Sequence, residues 1–274
     1  MRKLLLLNMI TIIVVTLTAC SVIEKPESFT TAVTSSKKNI SYDGKSSYDA
    51  KATAALPQPV EIQLESDFGE TEAFSYDIKY PVISNLQNQN TQATLNLKLK
   101  NQVYNYMNNF KSLSKSNSKA ESFVPYSVTT DFEIKTSNQN ILSMVATYTQ
   151  NTGKANPVTA LATYNIDTSS GKELSLEDLF KSDFDYKNVI NKEITNQIKK
   201  DISGKVYFKE KNLRFVSISQ MQQFYIEDGN LYIQFSIYEI APYATGVPAF
   251  LIPNELIDSG LKEQYKPMLL NQVD

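Results

Sequence analysis

Leu231-Tyr232-Ile233-Gln234-Phe235-Ser236-Ile237-Tyr238 places Leu231, Ile233, Phe235 and Ile237 on one side and Tyr232, Gln234, Ser236 and Tyr238 on the other. A period of two is the pattern of a strand with one face in a core. Immediately upstream, Glu227-Asp228-Gly229-Asn230 carries the turn residues of a tight hairpin, which predicts an antiparallel partner strand before it. Downstream, a loop containing Pro and Gly leads into a further strand over Val247 to Ile252. Pro253-Asn254-Glu255-Leu256 then opens a closing helix.

Farther from this hairpin the period changes. Tyr186, Ile190, Ile194, Ile198 and Ile202 recur every four residues with charged residues between them, predicting a helix from about 186 to 202. Leu95, Leu99, Val103, Tyr106, Met107, Phe110 and Leu113 form a second stripe, predicting a helix from about Gln89 to Leu113. Strands are expected over Phe74 to Ile83 and around 122–135, 141–150 and 158–166, where β-branched and aromatic residues concentrate. Asp167-Thr168-Ser169-Ser170-Gly171 is turn chemistry, and Ser175-Leu176-Glu177-Asp178 is a capping box opening a short helix. Strand runs interrupted by a few helices define an α+β class: antiparallel sheet with two or three helices packed on one face, after a disordered N-terminal tether.

The tether follows from the other end of the chain. Met1-Arg2-Lys3 precedes an apolar run from Leu4 to Leu17, about as long as a signal-peptide core and shorter than the ~20 residues a spanning helix needs. It closes on Leu17-Thr18-Ala19-Cys20, which resembles the lipobox of bacterial lipoproteins. That resemblance implies cleavage after residue 19, lipid on the Cys20 sulfur and residence on the extracytoplasmic face of a membrane. Residues 20–58 are rich in Ser, Thr, Lys and Ala with no apolar period, the composition of a stalk.

Composition narrows the chemistry. The 274 residues carry 27 Lys and Arg against 29 Asp and Glu; losing Arg2 and Lys3 with the leader moves the net charge from −2 to −4. A weakly acidic chain has no field to gather nucleic acid. With no histidine and Cys20 as its single cysteine, the chain has no imidazole base, no Ser-His-Asp triad and no disulfide within itself. No metal site and no cofactor are expected.

Phe224 to Leu256 carries a family resemblance. Tyr238-Glu239-Ile240-Ala241-Pro242-Tyr243-Ala244-Thr245-Gly246, following its strand, resembles the extracellular domain of lysozyme-sensing anti-sigma factors. Tyr80-Pro81-Val82-Ile83 with the helix after it is similar to the domain that precedes the catalytic part of certain peptidoglycan deacetylases. Together they imply a tandem of 59–155 and 156–274. Departures from both families are visible. The cytoplasmic segment and membrane helix of an anti-sigma factor are not seen, so this chain is not expected to hold a sigma factor itself, and the deacetylase catalytic domain is not seen either. Where the family often has a Gly-Gly-Ala-His-type turn, the sequence reads Thr152-Gly153-Lys154-Ala155-Asn156-Pro157, with Asn156 at the histidine place.

The candidate binding residues are Tyr238, Glu239, Pro242, Tyr243 and Gly246. Two tyrosines and a carboxylate on a rigid loop make a contact surface for a protein or glycan. Read structurally instead, Pro242 and Gly246 shape the turn, Tyr243 plugs the sheet end and Glu239 caps a backbone group. Glu177, Asp178, Asp183 and Asp185 are either a cation site or charges favoured at helix starts. The 16 tyrosines with no tryptophan are either a carbohydrate platform or ordinary sheet residues. The expected function is a non-enzymatic binding or sensing module for a lysozyme-like protein or peptidoglycan. The alternative is a carboxylate-dependent enzyme or accessory factor in peptidoglycan modification.

Overall fold

The computed structural model describes residues 59–117, 124–153, 156–201 and 203–269; the leader, Cys20 and the stalk expected over 20–58 lie outside them. Eight strands form two sheets. The first comprises β1 (Glu61–Glu70), β2 (Phe74–Ser84), β3 (Tyr126–Ser137), β4 (Ile141–Asn151) and β5 (Val158–Asp167), in sequential order. The second comprises β6 (Phe224–Glu227), β7 (Asn230–Gln234) and β8 (Ala249–Ile252). Helix α1 (Gln89–Asn117) packs on the first sheet, chiefly against β2, and α2 (Tyr186–Lys200) packs against β8 of the second. Short turns α3 (Asn254–Ile257) and α4 (Lys266–Leu269) close the chain. The expected α+β class holds, with two sheets in place of one.

One strand pair departs from the antiparallel expectation. β2 and β3 run parallel, Phe74 opposite Tyr126 through Ile78 opposite Thr130. Parallel neighbours need a long crossover, and α1 supplies it. Leu95, Leu99, Val103, Met107 and Phe110 are buried along its inner face, each apolar side chain contributing roughly 1.5–3 kcal/mol. The stripe ends there, because Leu113 is exposed and the next inward position, Ser114, turns its hydroxyl onto the Lys111 carbonyl at 2.8 Å. The expected division at 155/156 falls in the turn between β4 and β5. These strands pair from Ile141–Asp167 to Gln150–Val158, so the first sheet continues to Asp167.

In the second half the hairpin forms as read, with Phe224 opposite Ile233 and Glu227 opposite Asn230. The strand expected to run to Tyr238 stops at Gln234. Phe235 N–H still bonds the Pro248 carbonyl at 2.9 Å, but the chain then turns, and Tyr238 adopts φ 71°. A second core gathers Tyr186, Ile190 and Ile194 of α2 with Phe224, Ile226, Leu231, Ile233, Phe250 and Ile252 of the sheet.

The two sheets meet along a seam of polar side chains. β6 is an edge strand, and its outward backbone groups are met by residues of the first sheet in place of a further strand. Ile226 N–H donates to Ser143 Oγ at 2.8 Å, the Ser143 hydroxyl donates to Asn165 Oδ1 at 2.7 Å, and Asn165 Nδ2 donates to the Phe224 carbonyl at 2.7 Å. Thr136 Oγ1 donates to the Ile226 carbonyl at 2.7 Å. Ser143 and Asn165 are both buried, and burial requires that such groups be partnered.

Candidate functional site

The turn after β7 is built by short local hydrogen bonds. Ser236 N–H donates to Glu239 Oε2 at 2.7 Å, and Glu239 N–H donates to the Ser236 carbonyl at 3.1 Å. Ile240 and Ala241 then plunge into the core, and the Ile240 carbonyl accepts from Phe208 N–H at 3.0 Å. Pro242 caps a single 3-10 turn, Tyr243–Thr245, whose end is Gly246 at φ 76° and ψ −143°, a conformation almost confined to glycine. Glu239, Pro242 and Gly246 therefore shape the turn as the structural reading requires.

The two tyrosines do something else. Tyr238 is 62% exposed and Tyr243 59%, so Tyr243 does not plug the sheet end. Tyr238 is held from one side by the Phe208 ring, 5.8 Å between centroids and tilted 53°. The turn thus presents two phenol rings to solvent on a backbone anchored at Ile240 and Ala241. Rings fixed in this way lose little entropy on contact.

Phe208 also faces a groove that the sequence reading did not isolate. Residues 203–223 contain no helix or strand, yet Tyr207, Phe208, Phe215 and Ile218 pin the segment to the second half. Tyr207 meets Phe250 at 5.9 Å, Phe215 meets Phe235 edge-on at 5.6 Å, and Ile218 N–H donates to Asn191 Oδ1 at 2.8 Å. Between this strap and α2 lies an open groove of about 570 Å³ lined by Thr195, Lys199, Lys209 and Arg214 together with those aromatic rings. A second hollow of about 390 Å³ continues it along α2, past Lys192 and Asn196. The visible signal in the sequence was the interleaving of Lys205, Tyr207, Phe208, Lys209, Lys211, Arg214 and Phe215.

The acidic cluster resolves into separate roles. Asp178 completes the capping box with Ser175, accepting from Ser175 N–H at 2.9 Å. Burial opposes its charge, but the Lys172 ammonium and the Ser175 donors outweigh it and hold the carboxyl at about 2. Asp185 caps α2 by accepting from Asn188 N–H at 3.2 Å. Among the described residues no group of three His, Cys, Asp or Glu side chains is placed to hold a metal ion. Asn156 sits exposed in the turn between β4 and β5. The tyrosines divide: Tyr148 and Tyr164 share a 2.9 Å hydroxyl contact inside the first half, whereas Tyr238 and Tyr243 face outward.

A crossover sheet joined to a smaller hairpin sheet that carries an exposed tyrosine turn defines a two-module α+β protein. Residues 69–159 match the family described as deacetylase PdaC, and residues 177–255 match the one described as protein of unknown function DUF3298. Over 206 residues the chain is 31% identical to the anti-sigma-V factor RsiV of Bacillus subtilis (strain 168), covering 73% of this chain and 68% of that protein. The chain belongs to the same family as that anti-sigma-V factor, and in this chain the two matched regions follow one another.

Two solved structures share the fold. A DUF3298 family member from Bacteroides fragilis NCTC 9343 aligns with a TM-score of 0.58 at 16% identity, over 75% of this chain and 95% of its own. A DUF3298 protein from Pseudomonas aeruginosa PAO1 aligns with a TM-score of 0.51 at 15% identity, over 76% and 96%. Among the described residues no helix is long and apolar enough to cross a membrane.

Proposed function

We propose that the chain is an extracytoplasmic sensing lipoprotein, held to the membrane through Cys20, whose folded part recognises a lysozyme-type protein. Kinship with an anti-sigma-V factor supports a sensing role. The Leu17-Thr18-Ala19-Cys20 stretch supports the anchor. The observation that carries the contact surface is the turn from Tyr238 to Gly246. Two mostly exposed tyrosines there stand on a backbone fixed by buried neighbours, which is the chemistry of interface anchors. The role is recognition, with Glu239 spent on holding the turn through its bond to Ser236.

Titration of the full chain with a lysozyme-type muramidase tests the contact. Saturable binding is expected, with an affinity loss of about tenfold or more in Tyr238→Ala and Tyr243→Ala variants that melt like the parent. Absence of binding, or binding that both variants keep intact, overturns the reading. For the anchor, Cys20→Ser is expected to move the protein from membrane to medium. A second reading, recognition of cell-wall glycan, is favoured by the groove beside α2.

A further inference from the structure

We infer that the groove between α2 and the 203–218 strap is a binding site for a linear anionic polysaccharide, one whose sugar chain bears carboxylate or phosphate groups. This deepens the second reading above, and its failure leaves the protein-sensing reading untouched.

Charge is the first reason. Residues 192–216 hold seven Lys and Arg against three Asp and Glu, inside a chain whose net charge is −2. Arg214 is the chain's one arginine besides Arg2, and it lines the groove with Lys199 and Lys209. Six lysines elsewhere are ion-paired: Lys79 with Asp131, Lys98 with Glu173, Lys135 with Glu133 and Glu227, Lys172 with Asp178, and Lys181 and Lys266 with Glu263. Among the described residues Lys199, Lys209 and Arg214 have no such partner. Three uncompensated cations around one concavity focus a positive field into it.

Shape and lining select the ligand class. The two hollows share Thr195 and Lys199, so the site is elongated and suits an extended chain. Its aromatic walls are already fixed by Phe250, Tyr238 and Phe235, which hold Tyr207, Phe208 and Phe215 respectively. Preset ring faces stack on the C–H faces of sugars at little entropic cost. Along the floor, the side chains of Thr195 and Asn196 are uncommitted to any hydrogen bond among the described residues, leaving donors and acceptors for hydroxyl groups. An acidic peptide would use the cations but has less use for this hydroxyl-matching floor.

The test titrates the full chain with polygalacturonate as the carboxylate probe and a phosphorylated dextran as the phosphate probe. Dextran and poly-glutamate serve as the neutral sugar and the acidic peptide. One or both anionic sugars are expected to bind, with an affinity that falls as salt rises. Arg214→Gln and Lys209→Gln are each expected to weaken that binding about tenfold. Lys187→Gln, on α2 outside the groove, is expected to leave it unchanged, with parental melting in all three. Which anionic probe binds tells the carboxylate source from the phosphate source. Binding of dextran or poly-glutamate as tight as that of the anionic sugars, equal loss in Lys187→Gln, or no polymer bound at low salt overturns the inference. A chain that captures a muramidase but no polysaccharide loses this site and keeps the sensing role.

Discussion

The two halves solve the same packing problem with different amounts of regular structure. The first commits nearly all of its chain to five long strands and a 29-residue helix. Its polar groups are consumed internally, as by Tyr104 donating to Asp67 at 2.7 Å and Tyr80 donating to Glu65 at 2.6 Å. The second has three strands of four or five residues and leaves 203–223 irregular, held by aromatic side chains in place of backbone ladders. The exposed rings of Tyr238 and Tyr243 and the groove cations Lys199, Lys209 and Arg214 occur on that second half, although the first half also exposes a ring at Phe68 of β1. The surfaces proposed for recognition thus lie where local regularity is lowest, as binding residues on loops commonly do.

The sharpest way to break the contrast is at Phe235, which is buried against Phe215 and Phe250, both edge-on at 5.6 and 5.7 Å. Phe235→Ala is expected to cost about 3–5 kcal/mol in denaturant unfolding. It should also open the 203–223 segment to protease before the first sheet yields. Simultaneous loss of both regions would mean the strap is not separately held. Next comes the seam: Asn165→Ala strands the Phe224 carbonyl and is expected to cost about 1–3 kcal/mol. A single melting transition that stays single, with no change in midpoint, would show the halves to be coupled by something other than these bonds.

Alkali probes the first half. Burial, with the Tyr148 phenol beside it, pushes Tyr106 up to about 12, and burial also raises Tyr148 well above the ordinary 10. A raised folded value means the protonated form is favoured in the native state. That stability is fully present below pH 10, where unfolded tyrosine is still protonated, and drains away as pH climbs through the folded values. Melting temperature is expected to fall steeply above pH 10, and Tyr148→Phe to flatten the fall. A titration in which every tyrosine ionises near 10 without unfolding would contradict this. The smallest effect belongs to Asp178, whose depressed value means stability present above its ordinary 3.8 and lost as pH falls toward 2. Asp178→Asn is expected to cost about 1 kcal/mol by thermal melt at pH 7, and progressively less as pH falls through 2.

Much of the architecture was legible in the sequence. The α1 and α2 stripes, the 227–230 turn and the Ser175 box each carry a local period or cap that survives into the structure. What the pattern hid was long-range. β1 is charged and largely exposed, so it has no alternation to announce it, and it exists because β2 pairs with it from Glu61–Ser84 to Glu70–Ser75. Ile237 and Tyr238 continue the alternation of β7, yet the strand ends first because Glu239 offers the Ser236 amide a side-chain acceptor. Of the site, the tyrosine turn was readable as a motif. The groove was not, because α2 and the strap contribute to it from separate stretches of chain and the strap has no period at all.

Edge strands usually invite company, since unmet amides and carbonyls are a template for another ribbon. Here the outward edge of β6 is sealed by hydroxyl and carboxamide groups that belong to β3, β4 and β5. Cutting the gene near residue 168 would remove that seal and release a smaller partner with a sticky flank, prone to clump with itself. The two halves are therefore best expressed and engineered as one piece.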